Sequence, residues 1–191
     1  LSAAETPPGL FTLTAPTGTG KTFAMLAFAL KHARMNGLRR IIVVLPYLSI
    51  IDQTVKAYRK AIPENILPVM EHHSLTSTKS KNEKHQEDGD EESHYAANWL
   101  APNWEAPLIV TTSVQMLESL FANRPSACRK LHNLANSVIL FDEVQSLPLS
   151  LAVPTLATLS RLSERFGASV VFSTATQPAF SSLDKEVKKL C

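Results

Sequence analysis

Short apolar runs and longer helical patterns alternate along this chain. Runs of mostly apolar, β-branched residues stand at Leu10–Thr14, Ile41–Leu45, Leu108–Thr112, Val138–Phe141 and Val170–Ser173. Such runs predict buried strands of a parallel sheet, covered on both faces. Leu67–His72 predicts a further short strand. The segments between them have helical spacing. Phe23–Met35 carries no Gly or Pro, sets Phe23, Leu26, Ala27 and Leu30 on one face, and stops at Asn36-Gly37. That face is predicted to lie on the sheet, and glycine suits the left-handed residue that ends a helix. Ile50–Ala61 reads as a helix stopped by Pro63, and Ser113 as the N-cap of a helix through Phe121. Further helices are predicted over Ser126–Ala135 and Leu149–Arg165, the latter closed by Gly167 with Pro154 in its first turn or at a kink. Helical patterns also run over about 93–100 and 181–190. Strands alternating with helices predict an α/β fold, a three-layer domain with a mainly parallel sheet flanked by helices and right-handed crossovers.

One stretch breaks the pattern. Residues 76–93 interleave Lys79, Lys81 and Lys84 with Glu83, Glu87, Asp88, Asp90, Glu91 and Glu92 and hold almost nothing apolar. This predicts a solvated surface insertion with the composition of a disordered segment.

Polar residues of chemical interest follow the predicted strands, where ligands of parallel sheets bind. After the first strand comes Ala15-Pro16-Thr17-Gly18-Thr19-Gly20-Lys21-Thr22. It nearly fits the phosphate-cradling pattern G-x-x-x-x-G-K-S/T, with Ala15 at the first Gly. Gly18 and Gly20 let backbone N–H groups turn around an anion, Lys21 is placed to neutralise β- and γ-phosphates, and the Thr22 hydroxyl can ligate Mg²⁺. Asp142-Glu143 ends the fourth apolar run. Asp142 suits a Mg²⁺-holding acid, and Glu143 suits the base that deprotonates an attacking water. Two acids favour hydrolysis over transfer to an organic acceptor. Thr174-Ala175-Thr176 follows the last strand and can relay the state of those acids. Pro46, Tyr47, Ser49 and Gln53, and Thr111, Thr112 and Gln115, offer polar groups and exposed turns to a phosphate backbone. Taken singly, each such segment reads as an ordinary helix start before it reads as a DNA site.

Composition adds bounds. The 191 residues are 45% hydrophobic and 19% charged, as in one ordinary globular domain. No apolar run approaches a bilayer span, and the N-terminus lacks both a signal-peptide layout and an initiator Met, so a piece of a longer chain is expected. Cys128 and Cys191 are read as free thiols in a reducing cytoplasm. A net charge of +2 argues neither for nor against nucleic acid. His72-His73 has no matching ligand cluster, Trp99 and Trp104 read as core cover, and Arg124, Arg129 and Lys130 read as a solvated helix face.

Together the motifs resemble the first RecA-like domain of a superfamily-two helicase. Ala15–Thr22 resembles motif I, Leu45–Thr54 motif Ia, Val110–Gln115 motif Ib, Asp142–Gln145 motif II and Thr174–Thr176 motif III. The wording of Leu10–Thr22, of Ile41–Thr54, of Pro107–Gln115 and above all of Ser119–Pro148 is similar to the CRISPR-associated helicase–nuclease of type I systems. The resemblance implies a RecA-like P-loop NTPase domain using ATP and Mg²⁺. It also implies recruitment by an RNA-guided surveillance complex, movement along single-stranded DNA, and work beside an HD nuclease domain. Gln145 stands where many relatives have His, which leaves its coupling role open. The chain stops soon after motif III, so the second RecA-like domain and the HD nuclease domain are expected elsewhere. Alone it is then expected to bind nucleotide weakly and hydrolyse it poorly. Two other classes fit a phosphate-binding turn: a small-molecule kinase, which predicts an acceptor pocket and Arg-rich lid, and a non-catalytic nucleotide-binding module, which has no need of Lys21, Thr22, Asp142 and Glu143 together.

Overall fold

A computed structural model describes residues 2–16, 18–73, 103–121 and 128–174. A six-stranded sheet, parallel throughout, has β1 (Leu10–Thr14), β2 (Arg40–Leu45), β3 (Val69–His72), β4 (Leu108–Thr112), β5 (Ser137–Phe141) and β6 (Ser169–Thr174) in the order β1-β6-β5-β2-β4-β3. The helices are α1 (Lys21–Asn36), α2 (Leu48–Ala61), α3 (Ser113–Phe121) and α4 (Leu149–Phe166). Gly37 and Gly167 close α1 and α4 in left-handed conformations.

Alternation along the strands sorts the core into two layers. Ile41, Val43, Leu45, Val110, Val138 and Leu140 face α1 and α2, where Met25, Leu26, Ala29, Ile51 and Val55 meet them. Ile42, Val44, Ile109, Ile139 and Phe141 face the other way, onto Met116, Leu120 and Leu159 of α3 and α4. This is the expected three-layer α/β arrangement. Each central strand is buried on both faces, so its polar groups are confined to its ends.

Four expectations are corrected. β1 is the sheet edge rather than a buried strand: Leu10 is 49% exposed, and Thr12 and Thr14 are exposed with it. The α1 face on the sheet is Met25, Leu26, Ala29 and His32, while Phe23 and Ala27 are exposed. His32 was overlooked as a core residue; its ring nitrogens meet the Ala4 carbonyl at 3.0 Å and the Ser169 hydroxyl at 2.7 Å. In place of a continuous helix over 126–135, the described part is helical only at Cys128 and then turns through a 3-10 segment, Leu131–Asn133. The N–H groups of Asn133 and Leu134 reach back only three residues, to Lys130 and Leu131. Thr112, not Ser113, caps α3: its hydroxyl accepts the Gln115 N–H at 3.1 Å.

Other boundaries shift by one or two residues. Pro154 lies inside α4, where the Thr158 hydroxyl donates to its carbonyl at 2.8 Å. Trp104 is fully buried, as expected. The insertion at 76–93, the helices at 93–100 and 181–190, Trp99, Arg124 and Cys191 lie outside the described residues. Among the described residues, no helix is long and apolar enough to cross a membrane.

Candidate nucleotide site at the carboxyl edge of the sheet

β6 lies between β1 and β5, so the turn after β1 and the acids after β5 are brought to the same edge. Pairing of β1 and β6 continues past Thr14, with the Ala15 N–H donating to the Thr174 carbonyl at 3.3 Å. The chain then leaves the sheet through Pro16. Gly18 and Gly20 hold φ of 79° and 78°, a region that costs an L side chain about 1–2 kcal/mol. Among the described residues, and apart from the adjoining ones in the chain, no heavy atom lies within 4 Å of where a Cβ would stand on either, so the turn is open on that side. The Thr19 hydroxyl donates to the Pro16 carbonyl at 2.7 Å and braces the loop. Gly20 starts α1 and offers no side-chain cap, and the Phe23 and Ala24 N–H groups turn back to its carbonyl at 3.1 and 3.0 Å. Unsatisfied N–H groups at a helix start attract an anion.

Lys21 is buried and its ammonium meets both acids. Its Nζ is 2.6 Å from Glu143 Oε1 and 3.2 Å from Asp142 Oδ1. Burial acts against the charged ammonium, but Glu143 and Asp142 outweigh it and raise the Lys21 pKa. Asp142 is fixed from three sides. Its N–H donates to the Val44 carbonyl at 2.9 Å, the Ser173 hydroxyl donates to Oδ1 at 2.9 Å, and the Glu143 N–H donates to the same oxygen at 3.1 Å. Glu143 sits at φ 50°, ψ 51°. This left-handed residue turns the chain sharply off β5, and Glu143 meets Lys21 and accepts a hydrogen bond from Gln145 Nε2. Tyr58 closes the floor: it is buried, its hydroxyl lies 3.5 Å from the Thr22 carbonyl, and burial followed by the Asp142 charge raises its pKa.

The donors suit a magnesium nucleotide. The turn is open, it leads into the N-terminus of α1, and Thr22 and Asp142 offer the oxygen atoms that Mg²⁺ prefers. Thr17 and Thr176 lie outside the described residues. Thr174 is fully buried at the end of β6.

The candidates for nucleic-acid contact divide. Tyr47 is 61% exposed, Ser49 and Gln53 are exposed, and Pro46 is half-buried, all just beyond β2. Gln115 is half-buried on α3. Thr111 is corrected: its side chain is fully buried and its hydroxyl donates to the His72 carbonyl at 2.7 Å, so it ties β4 to β3. The Thr112 side chain is likewise engaged as the α3 cap.

Two contributors escaped the sequence reading. Ser173 steadies Asp142, and strand alternation next to Thr174 was its only signal. Lys130, expected on a solvated face, is buried: its Nζ stands 5.1 Å from the Trp104 ring centre and donates to Gln115 Oε1 at 3.2 Å. Gln115 Nε2 donates in turn to Glu118 at 2.6 Å, so its amide is gripped at both ends.

Comparison with known proteins adds to this geometry. A family model described as "Type III restriction enzyme, res subunit" matches residues 4–178. The CRISPR-associated nuclease/helicase Cas3 of Haloferax volcanii is 32% identical over 188 residues, covering 92% of this chain and 20% of that protein. The crystal structure of T. fusca Cas3 with ADP superposes with a TM-score of 0.76 at 24% identity, over 100% of this chain and 21% of that one. The same protein with AMPPNP gives 0.73 at 26% identity, with the same coverage. The chain thus spans about a fifth of the length of these relatives. It belongs to the family of the type III restriction enzyme res subunit, as a homologue of the first RecA-like domain of the Cas3 helicase–nucleases.

Proposed function

We propose that the chain is the ATP-binding half of a DNA-stimulated ATPase, a helicase motor that moves along single-stranded DNA during CRISPR type I interference. The observation that carries this is the convergence of Lys21, Asp142 and Glu143 at the carboxyl edge, beside the exposed Tyr47, Ser49 and Gln53. Residues 15–22 hold the phosphates, and Thr22 and Asp142 hold Mg²⁺, which neutralises charge on the phosphate oxygens. Lys21 exchanges Glu143 for the incoming phosphate oxygens. Glu143 then accepts a proton from the water that attacks the terminal phosphorus. Ser173 keeps Asp142 in place, while Gln145, Thr174 and Thr176 couple the acids to the rest of the motor.

The DNA face comprises Pro46, Tyr47, Ser49, Gln53 and Gln115. Such contacts go to the backbone, so binding is sequence-tolerant and weakens with salt. A second RecA-like domain completes the active site, an HD nuclease domain cuts the strand, and the RNA-guided surveillance complex delivers the substrate. In the full-length protein, single-stranded DNA is expected to raise ATP turnover, and Tyr47→Ala with Gln53→Ala to remove most of that rise while sparing basal turnover. A rise undiminished in the double variant would contradict the DNA face. Turnover indifferent to DNA in the wild type would contradict the motor.

A further inference from the structure

The opposite edge of the sheet holds a second polar feature. The amino ends of β2, β4 and β5 border a basin of about 460 Å³. Arg39 and Arg40 enter it from the start of β2, Glu105 from the approach to β4, and His132, Asn133 and Asn136 from the turns before β5. The frame is braced independently of any ligand. The Arg39 N–H donates to the Asn136 carbonyl at 2.8 Å, the Asn136 N–H to the Phe166 carbonyl at 2.9 Å, and Asn133 Nδ2 to the Asn103 carbonyl at 2.7 Å.

Within that frame, Arg40 Nε is enclosed and, among the described residues, meets no acceptor. An enclosed N–H without a partner is costly, and an acceptor entering the basin that Arg40 lines would relieve that cost. Burial, then the charge of Arg39, acts against the Arg40 guanidinium, and Glu105 offsets only part of this. Two guanidiniums and one carboxylate leave a single positive charge. A monoanion cancels it, whereas a phosphate dianion overfills it and meets Glu105. The nucleotide and DNA candidates all stand at the other ends of these strands, roughly 15–20 Å away at about 3.3 Å per residue.

We propose that the basin is a docking pocket for a carboxylate side chain, an Asp or Glu presented by a protein partner. The exposed rim residues Arg39, Glu105 and Asn136 can meet the flanking peptide, which a small free acid does not offer. This proposal is independent of the nucleotide reading.

The test follows the Arg40 Nε–H resonance of the full 191-residue chain by NMR while N-acetyl-glutamate amide is added. A saturable shift is expected, with no response to the matching glutamine amide and about tenfold weaker binding of inorganic phosphate at matched ionic strength. Glu105→Gln is expected to tighten binding, and Arg40→Gln, followed through the Asn136 amide, to lose it. Should Arg40→Gln not fold, Arg39→Gln at the exposed rim is expected to weaken binding severalfold. No shift at tens of millimolar, an equal shift with the glutamine amide, phosphate binding as tight, or succinate binding tighter than the capped glutamate would each overturn the proposal.

Discussion

At the scale of single residues, the proposed nucleotide site holds one lysine between two carboxylates. Lys21 is held by two acids, so its ammonium is neutralised before any phosphate arrives. Removing the Glu143 charge takes away one of the two acids that hold Lys21 and leaves its contact with Asp142. In the full-length protein, Glu143→Gln is therefore expected to keep or tighten ATP binding and to stop turnover. A Glu143→Gln enzyme that hydrolyses ATP at the wild-type rate would remove Glu143 from the role of base. His72 offers a prediction of a different kind. Burial, then the charges of Lys130 and His73, lower its pKa to about 4. The unfolded chain therefore binds the extra proton first as pH falls from about 6.5, and the folded state loses stability through the window down to about 4. On the order of 2 kcal/mol should be lost by about pH 5, measurable by urea unfolding, and His72→Gln should flatten that slope. Lys21, Asp142 and Glu143 could be singled out because local spacing after β1 and β5 marks them, and the sheet order brings them together. Ser173, Lys130 and the engaged hydroxyl of Thr111 were not, because their partners come from other elements and only the sheet order brings them together.

At the scale of elements, the runs of apolar residues located each strand among the described residues, and the structure corrected faces and ends. Central strands carry a strong signal because both faces are buried. β1 misled because an edge strand of five residues has the same β-rich composition as a central one. On α1 the apolar residues nearly encircle the helix, so composition left two faces open, and the sheet selected Met25, Leu26 and Ala29. The segment before β5 has helical composition, yet it bends so that Lys130 can reach under α3. That bend gives a testable coupling. Lys130→Met keeps the aliphatic cover over Trp104 and removes the donor to Gln115. It is expected to weaken binding of a labelled oligothymidine severalfold at low salt, with nucleotide binding unchanged. Unaltered DNA affinity would leave Lys130 a purely structural residue.

At the scale of the whole molecule, two edges of one sheet carry different chemistry. Helices on both faces leave only the strand ends for ligands. The carboxyl edge gathers the glycine-bearing turn after β1, the acids after β5 and the exposed polar residues after β2. The amino edge holds the arginine basin, which the sequence did not announce because Arg39-Arg40 and Glu105 lie far apart in the chain. The account rests on the claim that the turn at Ala15–Thr22, with Lys21, holds nucleotide phosphates. The most direct test is the affinity of this chain for a fluorescent ATP analogue with Mg²⁺, comparing wild type with Lys21→Ala. The account predicts measurable wild-type binding and a loss of at least about tenfold in the variant, near 1.4 kcal/mol. Equal affinity in the two proteins would contradict it.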